Sequence, residues 1–190
     1  FSLPYNDILC IREDPYGGIW IGTDGGGVAQ YNVRFNNFSL LSRENVPAGM
    51  PIEQVRAITT DRKKGLWIGT SNNGLAYMDR TSGKFTALSL PPYRKGISNY
   101  ERVVSLFTDR EGDCWVGTQG NGLLIMDRNT RKVKQHFHPE GHRLARLPDH
   151  TIWCMLPDTG HLVWIGMRSG GLCLLDKYRG VLHTYDDILP

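Results

Sequence analysis

The chain has 190 residues, 40% of them hydrophobic, which is enough apolar material for a packed core. Its formal net charge of +3 is too small to give the strong positive field of a nucleic-acid binder. No apolar run approaches the ~18 residues of a membrane-spanning helix, so this segment is expected to make no membrane contact. The chain begins at Phe1 with neither an initiator Met nor a signal-peptide pattern, and is expected to be a piece of a longer protein.

The first motif along the chain is Gly18-Ile19-Trp20-Ile21-Gly22-Thr23, and it returns three times. The copies are Gly65-Leu66-Trp67-Ile68-Gly69-Thr70, Cys114-Trp115-Val116-Gly117-Thr118 and Val163-Trp164-Ile165-Gly166-Met167. Successive Trp residues stand 47, 48 and 49 residues apart, within the period of ~40–50 residues that marks propeller blades. The repeats span roughly 3–50, 51–97, 98–146 and 147–190.

The second repeat is the plainest. Val55–Thr60 alternates and is β-branched, which predicts a strand. Asp61 to Gly65 is a turn, with Asp to cap backbone N–H groups and Gly to accept positive φ. Strands are expected again at 66–70, 75–78 and 84–88, with turns between them. Four short antiparallel strands make one blade, so the fold class is all-β, with four four-stranded β-propeller blades. Turn Asp residues recur at Asp14, Asp61, Asp109 and Asp158, and turn Gly residues at Gly27, Gly74, Gly122 and Gly171. Trp20, Trp67, Trp115 and Trp164 are expected to pack between blades. Gly22, Gly69, Gly117 and Gly166 are expected where a neighbouring group comes too close for a Cβ.

No strand at one end of the chain completes a blade at the other, and the last residues stop where a fifth repeat would begin. The chain is therefore expected to be an arc of a larger ring of seven or eight blades, near the top of the ~4–8 range. Such an arc leaves an apolar face at each end, to be met by further blades of the parent chain or by a second copy in a homodimer. The four cysteines, Cys10, Cys114, Cys154 and Cys173, fill slots that hold small or apolar residues in sister repeats. Buried free thiols are expected, with no disulfide.

These residues resemble the two-component regulator propeller repeat, whose pattern runs through Leu-Pro, a short strand, Asp-x-x-Gly-x-[Leu/Ile]-Trp-[Ile/Val]-Gly-Thr and Gly-Gly-[Val/Leu]. The resemblance covers essentially the whole chain. It implies the periplasmic sensor half of a bacterial hybrid two-component system, best known from gut Bacteroidetes. In such proteins propellers precede a β-sandwich, one membrane span, a histidine kinase and a response regulator, in the inner membrane. Members sense glycan fragments and regulate the transcription of polysaccharide-utilisation genes. An oligosaccharide ligand is therefore implied, with no catalysis in this segment and no cofactor.

In a propeller, inter-blade loops and the turns between second and third strands share one rim. The loops are expected at 36–54, 89–101 and 136–150. Candidate ligand contacts on that rim are Asn72, Tyr93, Arg94, Tyr100, Asn121, His138, Arg143 and Arg168, residue types that stack on sugars or bond hydroxyl and carboxylate groups. The repeats also disagree five residues before each turn Asp, at Leu9, Arg56, Val104 and Trp153. Departure from a repeated template marks where another demand has overridden it. Arg56 and Trp153 are the preferred outliers, expected near the central channel.

Gly22-x-x-Gly25-Gly26-Gly27 is no phosphate loop, since no Gly-Lys-[Ser/Thr] and no helix follow. His136, His138 and His142 lack a fourth ligand for zinc, so no metal is expected. Two other functions compete with sensing: a metal-dependent lyase similar to streptogramin-cleaving propellers, with a His base, and a protein-interaction scaffold.

Overall fold

The computed structural model describes residues 3, 5–50, 52–61, 65–96 and 101–185. Among the described residues there is no helix, and the strands form four four-stranded sheets. The first sheet comprises β1 (Ile8–Glu13), β2 (Ile19–Thr23), β3 (Val28–Asn32) and β4 (Asn37–Leu41). The second comprises β5 (Val55–Thr60), β6 (Gly65–Thr70), β7 (Leu75–Asp79) and β8 (Lys84–Leu88). The third comprises β9 (Val103–Thr108), β10 (Cys114–Thr118), β11 (Leu123–Met126) and β12 (Val133–Phe137). The fourth comprises β13 (Ile152–Pro157), β14 (Leu162–Met167), β15 (Leu172–Asp176) and β16 (Gly180–Tyr185). Each is an antiparallel meander in chain order, which is the blade of a propeller. The first inter-blade loop is shorter than the expected 36–54. β4 takes Asn37–Leu41, where Phe38 pairs with Tyr31 across the sheet, ring centroids 4.9 Å apart.

The repeated residues act as turn chemistry. Asp14 accepts the backbone N–H groups of Tyr16 and Gly18, both at 2.9 Å, and also Trp20 Nε1 at 3.0 Å. Asp109 does the same for Glu111, Asp113 and Trp115. The Asp thus closes the turn and orients the Trp six residues later. The Thr of Gly-Thr closes the next turn. Thr118 Oγ1 donates to the Gly122 carbonyl at 2.8 Å and accepts from Asn121 N at 2.8 Å. Gly27, Gly74, Gly122 and Gly171 end these turns at φ of 84, 78, 68 and 63°, a region that a Cβ makes costly.

Three apolar clusters lie between successive blades and hold them in a row. Trp20, Trp67 and Trp115 are each buried in the cluster shared with the following blade. The repeated Gly receives the next inner strand. A Cβ on Gly22 would lie 2.6 Å from the Val55 carbonyl oxygen, on Gly69 2.4 Å from Val103 Cγ1, and on Gly117 2.9 Å from Ile152 Cγ2. β1, β5, β9 and β13 stack in that order, and among the described residues β13 is not packed against β1. The arc is open. Leu156 on blade four is 66% exposed and Ile11 on blade one 65%.

Two expectations change on the open face of blade four. Trp164 is only half-buried, and Cys154 is exposed rather than buried. Both face the side on which blades one to three carry a neighbour. Cys114 and Cys173 are buried, Cys10 is half-buried, and all four thiols are free.

A candidate ligand-binding rim

One rim of the arc collects the inter-blade loops and the turns joining second to third strands. Each such turn is tied to the start of its own inner strand by one backbone bond: Asp24 N to Asp7 O, Ser71 N to Gln54 O, Gln119 N to Arg102 O, and Arg168 N to Thr151 O, at 2.9–3.1 Å. Just beyond this tie every inner strand bulges. Pairing skips from Ile8 to Cys10, from Val55 to Ala57, from Val103 to Ser105 and from Ile152 to Cys154. The skipped residues are Leu9, Arg56, Val104 and Trp153, the same positions at which the repeats disagree. A bulged residue is left out of the ladder and its side chain is re-aimed. The position is thus relieved of pairing and free to vary.

Around blades two and three the rim is a polar network. Arg56 Nε donates to Ser71 Oγ at 2.6 Å. Arg102 Nε donates to the Ser71 carbonyl at 3.0 Å, and its Nη1 to Gln119 Oε1 at 2.9 Å. Asn72 Nδ2 donates to Gln54 Oε1 at 2.8 Å, and its Oδ1 lies 3.5 Å from Arg102 Nη2. Arg56 and Asn72, chosen from sequence, therefore meet through Ser71 and Arg102. Arg102 was not singled out by the repeat pattern; its signal is the tie position itself, which holds Asp7, Gln54, Arg102 and Thr151.

A second corner lies on the same turn of blade three. Asn121 is fully buried: its Oδ1 accepts Tyr93 N and its Nδ2 donates to the Pro91 carbonyl, each at 3.0 Å. Its amide anchors the second inter-blade loop and presents nothing to a ligand. Tyr93 stacks on His138 with centroids 4.5 Å apart and planes at 11°, and His136 meets both rings edge-on. His136 Nε2 lies 2.7 Å from the Asn121 carbonyl, which places the proton of the neutral ring on Nε2. Burial pushes both His136 and His138 below the ordinary histidine range. Arg94 pairs with Glu140 at the edge.

Arg143, Trp153 and Arg168 are exposed, and their side chains make no hydrogen bond among the described residues. Tyr100 lies outside the described residues. Guanidinium, amide and aromatic groups of this kind bind polar ligands. Among the described residues no hydroxyl or thiol is hydrogen-bonded to a histidine.

The opposite rim holds a cluster the sequence did not single out. Asp109, Glu111 and Asp113 converge as a cation trap, and it is filled from blade four. Lys177 Nζ, on a side chain 1% exposed, reaches them at 2.6, 2.8 and 2.8 Å. The equivalent clamp between blades one and two is Arg80, 2.9 Å from Asp14 and over the Trp20 ring.

The fold is a four-bladed arc of a β-propeller with a polar rim. Residues 2–25, 49–72 and 96–120 match the two-component regulator propeller family. These stretches, one in each of the first three blades, are similar to two-component regulator propeller repeats. The fourth copy, outside these matches, is the one with Met167 in place of the turn-closing Thr.

Among solved structures, the extracellular domain assigned to the hybrid two-component system BT3049 of B. thetaiotaomicron superposes with a TM-score of 0.75 at 21% identity, over 95% of this chain and 25% of its own. That of BT4673 from the same organism gives 0.69 at 25% identity, over 90% and 22%. Virginiamycin B lyase from Staphylococcus aureus gives 0.74 at 15% identity, over 100% and 59%. The chain thus spans about a quarter of the extracellular domains it matches and under two thirds of the lyase. No curated protein matches the chain.

Proposed function

We propose that this chain is a non-catalytic, ligand-sensing segment of the extracytoplasmic part of a hybrid two-component sensor. Its parent is an inner-membrane histidine kinase with the propeller in the periplasm. The ligand is a glycan fragment, and the output is regulation of polysaccharide utilisation. Further blades of the parent chain complete the ring.

What carries this reading is the union of sensor-type repeats with a rim whose bulged positions vary in chemistry. The blades repeat because packing demands it. Arg56 and Trp153 break the repeat at bulged positions, and Arg56 is joined through Ser71 to Arg102, which in turn reaches Asn72 and Gln119. Thermal melting of the chain against a panel of neutral and acidic oligosaccharides tests the reading. A rise in Tm with one family of saccharides supports sensing, and a flat response across the panel overturns it.

The likeness to virginiamycin B lyase and the half-buried His136–His138 pair, held below the ordinary histidine range, favour a second reading, a metal-dependent lyase. It requires EDTA-sensitive turnover of virginiamycin B or quinupristin, the compounds named with that lyase. Turnover that survives the chelator, or none at all, removes it.

A further inference from the structure

We infer that the rim between blades two and three is an anion seat, taking a sulfate or carboxylate group of the ligand between Arg56 and Arg102. The inference rests on the binding reading above. Two guanidinium groups are anchored to one buried residue: Arg56 Nε bonds Ser71 Oγ at 2.6 Å and Arg102 Nε bonds the Ser71 carbonyl at 3.0 Å. Like charges held this close repel, and in folded proteins such pairs are ordinarily offset by a carboxylate.

Among the described residues neither Arg56 nor Arg102 forms an ion pair. The nearest acidic residues along the chain are turned to other work. Glu53 pairs with Arg43 at 2.6 Å, and Glu101 lines the outer groove beside Asn73 and Ala87. Among the described residues the partners of the two arginines are neutral oxygens, of Ser71, Gln119 and Asn72. These hold the guanidinium groups in place without neutralising them.

The donors left over favour an oxyanion. Among the described residues Arg56 spends only Nε, which leaves its two Nη groups to donate to a ligand, and its side chain is only half-buried. A planar fork of that kind suits carboxylate or sulfate oxygens bidentately. Arg56 sits on the bulge, where the ladder does not constrain its direction. Asn72 and Gln54, already bonded to each other at 2.8 Å, stand beside the seat, where amides can serve the hydroxyl groups of a sugar ring carrying the charge.

The test is thermal melting and titration calorimetry of the full chain with sodium sulfate against sodium chloride at equal ionic strength. The same measurements follow with a sulfated, a uronate-containing and a neutral disaccharide. Sulfate is expected to raise Tm beyond chloride. Arg56→Gln is expected to melt no lower than the parent chain without ligand, because it relieves repulsion, and to bind sulfate at least tenfold more weakly. Arg34→Gln, on the opposite rim, is expected to respond as the parent chain does. A preference for the sulfated or the uronate sugar, lost in Arg56→Gln, identifies the source of the charge. Equal binding of the neutral sugar, or an unchanged response in Arg56→Gln, overturns the seat while leaving glycan sensing standing. An Arg56-dependent sulfate response with no saccharide response keeps the seat and overturns the glycan reading. No response to any probe overturns both.

Discussion

The Tyr77 hydroxyl donates to Asp61 Oδ2 at 3.0 Å, taking the position that a Trp Nε1 holds in the other three blades. Trp67 Nε1 is consequently buried with no hydrogen-bond partner among the described residues. The repeat therefore offers an internal comparison in which geometry is shared and one hydrogen bond differs.

Trp115→Phe removes a bond to the Asp109 carboxylate, and bonds to charged groups contribute about 1.5–3 kcal/mol. Trp67→Phe removes an orphaned donor whose burial itself costs about 1–3 kcal/mol. Both lose similar volume. Trp115→Phe is thus expected to be the more destabilising by about 2 kcal/mol or more, read from urea-unfolding midpoints at constant m. Equal costs would mean that the Asp–Trp bond contributes nothing net.

Gly69 is the tightest of the inter-blade seats. A Cβ there would stand 2.4 Å from Val103 Cγ1 and 2.9 Å from its Cβ, against 2.9 Å from Ile152 Cγ2 at Gly117. Overpacking of this kind costs about 1–3 kcal/mol, so Gly69→Ala should cost more than Gly117→Ala. Trimming the obstacle should restore part of the loss. A cycle of Gly69→Ala with Val103→Ala is expected to be non-additive, the double variant more stable than the sum of the singles. Simple additivity in thermal or chemical melts would show that the two groups do not meet.

The blade was legible because it repeats: Trp20, Trp67 and Trp115 mark the period, and Asp14, Thr23 and Gly27 each have a local turn to close. The bulge was legible only as disagreement. Leu9, Arg56, Val104 and Trp153 could be seen to differ, but the reason lies in strand register, which no single strand encodes. Asn121 was misplaced because a polar residue in a turn resembles a ligand contact until the loop it anchors is seen. The Lys177 clamp was invisible for a different cause. Its partners lie 64 to 68 residues away, and an Asp-x-Glu-x-Asp run beside a turn otherwise reads as capping.

That clamp carries a pH dependence. Burial alone would lower the Lys177 pKa, but hydrogen bonds to Asp109, Asp113 and Glu111 outweigh it and hold the ammonium above its usual range. Burial likewise acts to raise Asp113, and bonds from Lys134 and Lys177 bring it below the usual carboxylate range. Glu111 is lowered chiefly by its bond from Lys177. A raised lysine contributes stability that is complete below its unfolded pKa of ~10.4, and lowered carboxylates contribute above ~4. The clamp is therefore at full strength between about pH 5 and 10 and is lost as pH falls through the native carboxylate values. Lys177→Met leaves three carboxylates facing one another, and is expected to cost about 3–5 kcal/mol at pH 7. The carboxylates then protonate more readily, so the variant should be relatively least harmed near pH 4. A cost independent of pH between 4 and 7 would show that Lys177 acts through packing alone.

Cys10 and Cys154 occupy equivalent positions, each before the same turn and each beside the repeated Gly of its own blade. Blade two covers the first: Cys10 Sγ lies 3.8 Å from the Val55 carbonyl, and burial pushes its thiol up to about 11. Among the described residues Cys154 has no such neighbour, and it is exposed. At pH 8 a thiol of pKa near 11 is thiolate only about one part in a thousand, while burial pushes Cys173 up to about 12 and Cys114 well above its usual range. One fast-reacting thiol is expected in the native chain with a disulfide-exchange dye, three more appearing on denaturation, and Cys154→Ser should abolish the fast phase. A second fast thiol would mean that blades one and two come apart in solution. In a longer chain carrying a further blade on this face, Cys154 should react as slowly as Cys10, because the incoming inner strand would seat on Gly166 as Val55 does on Gly22. Unchanged fast labelling in that longer chain would leave blade four as a true edge and rule out a ring continued from this side.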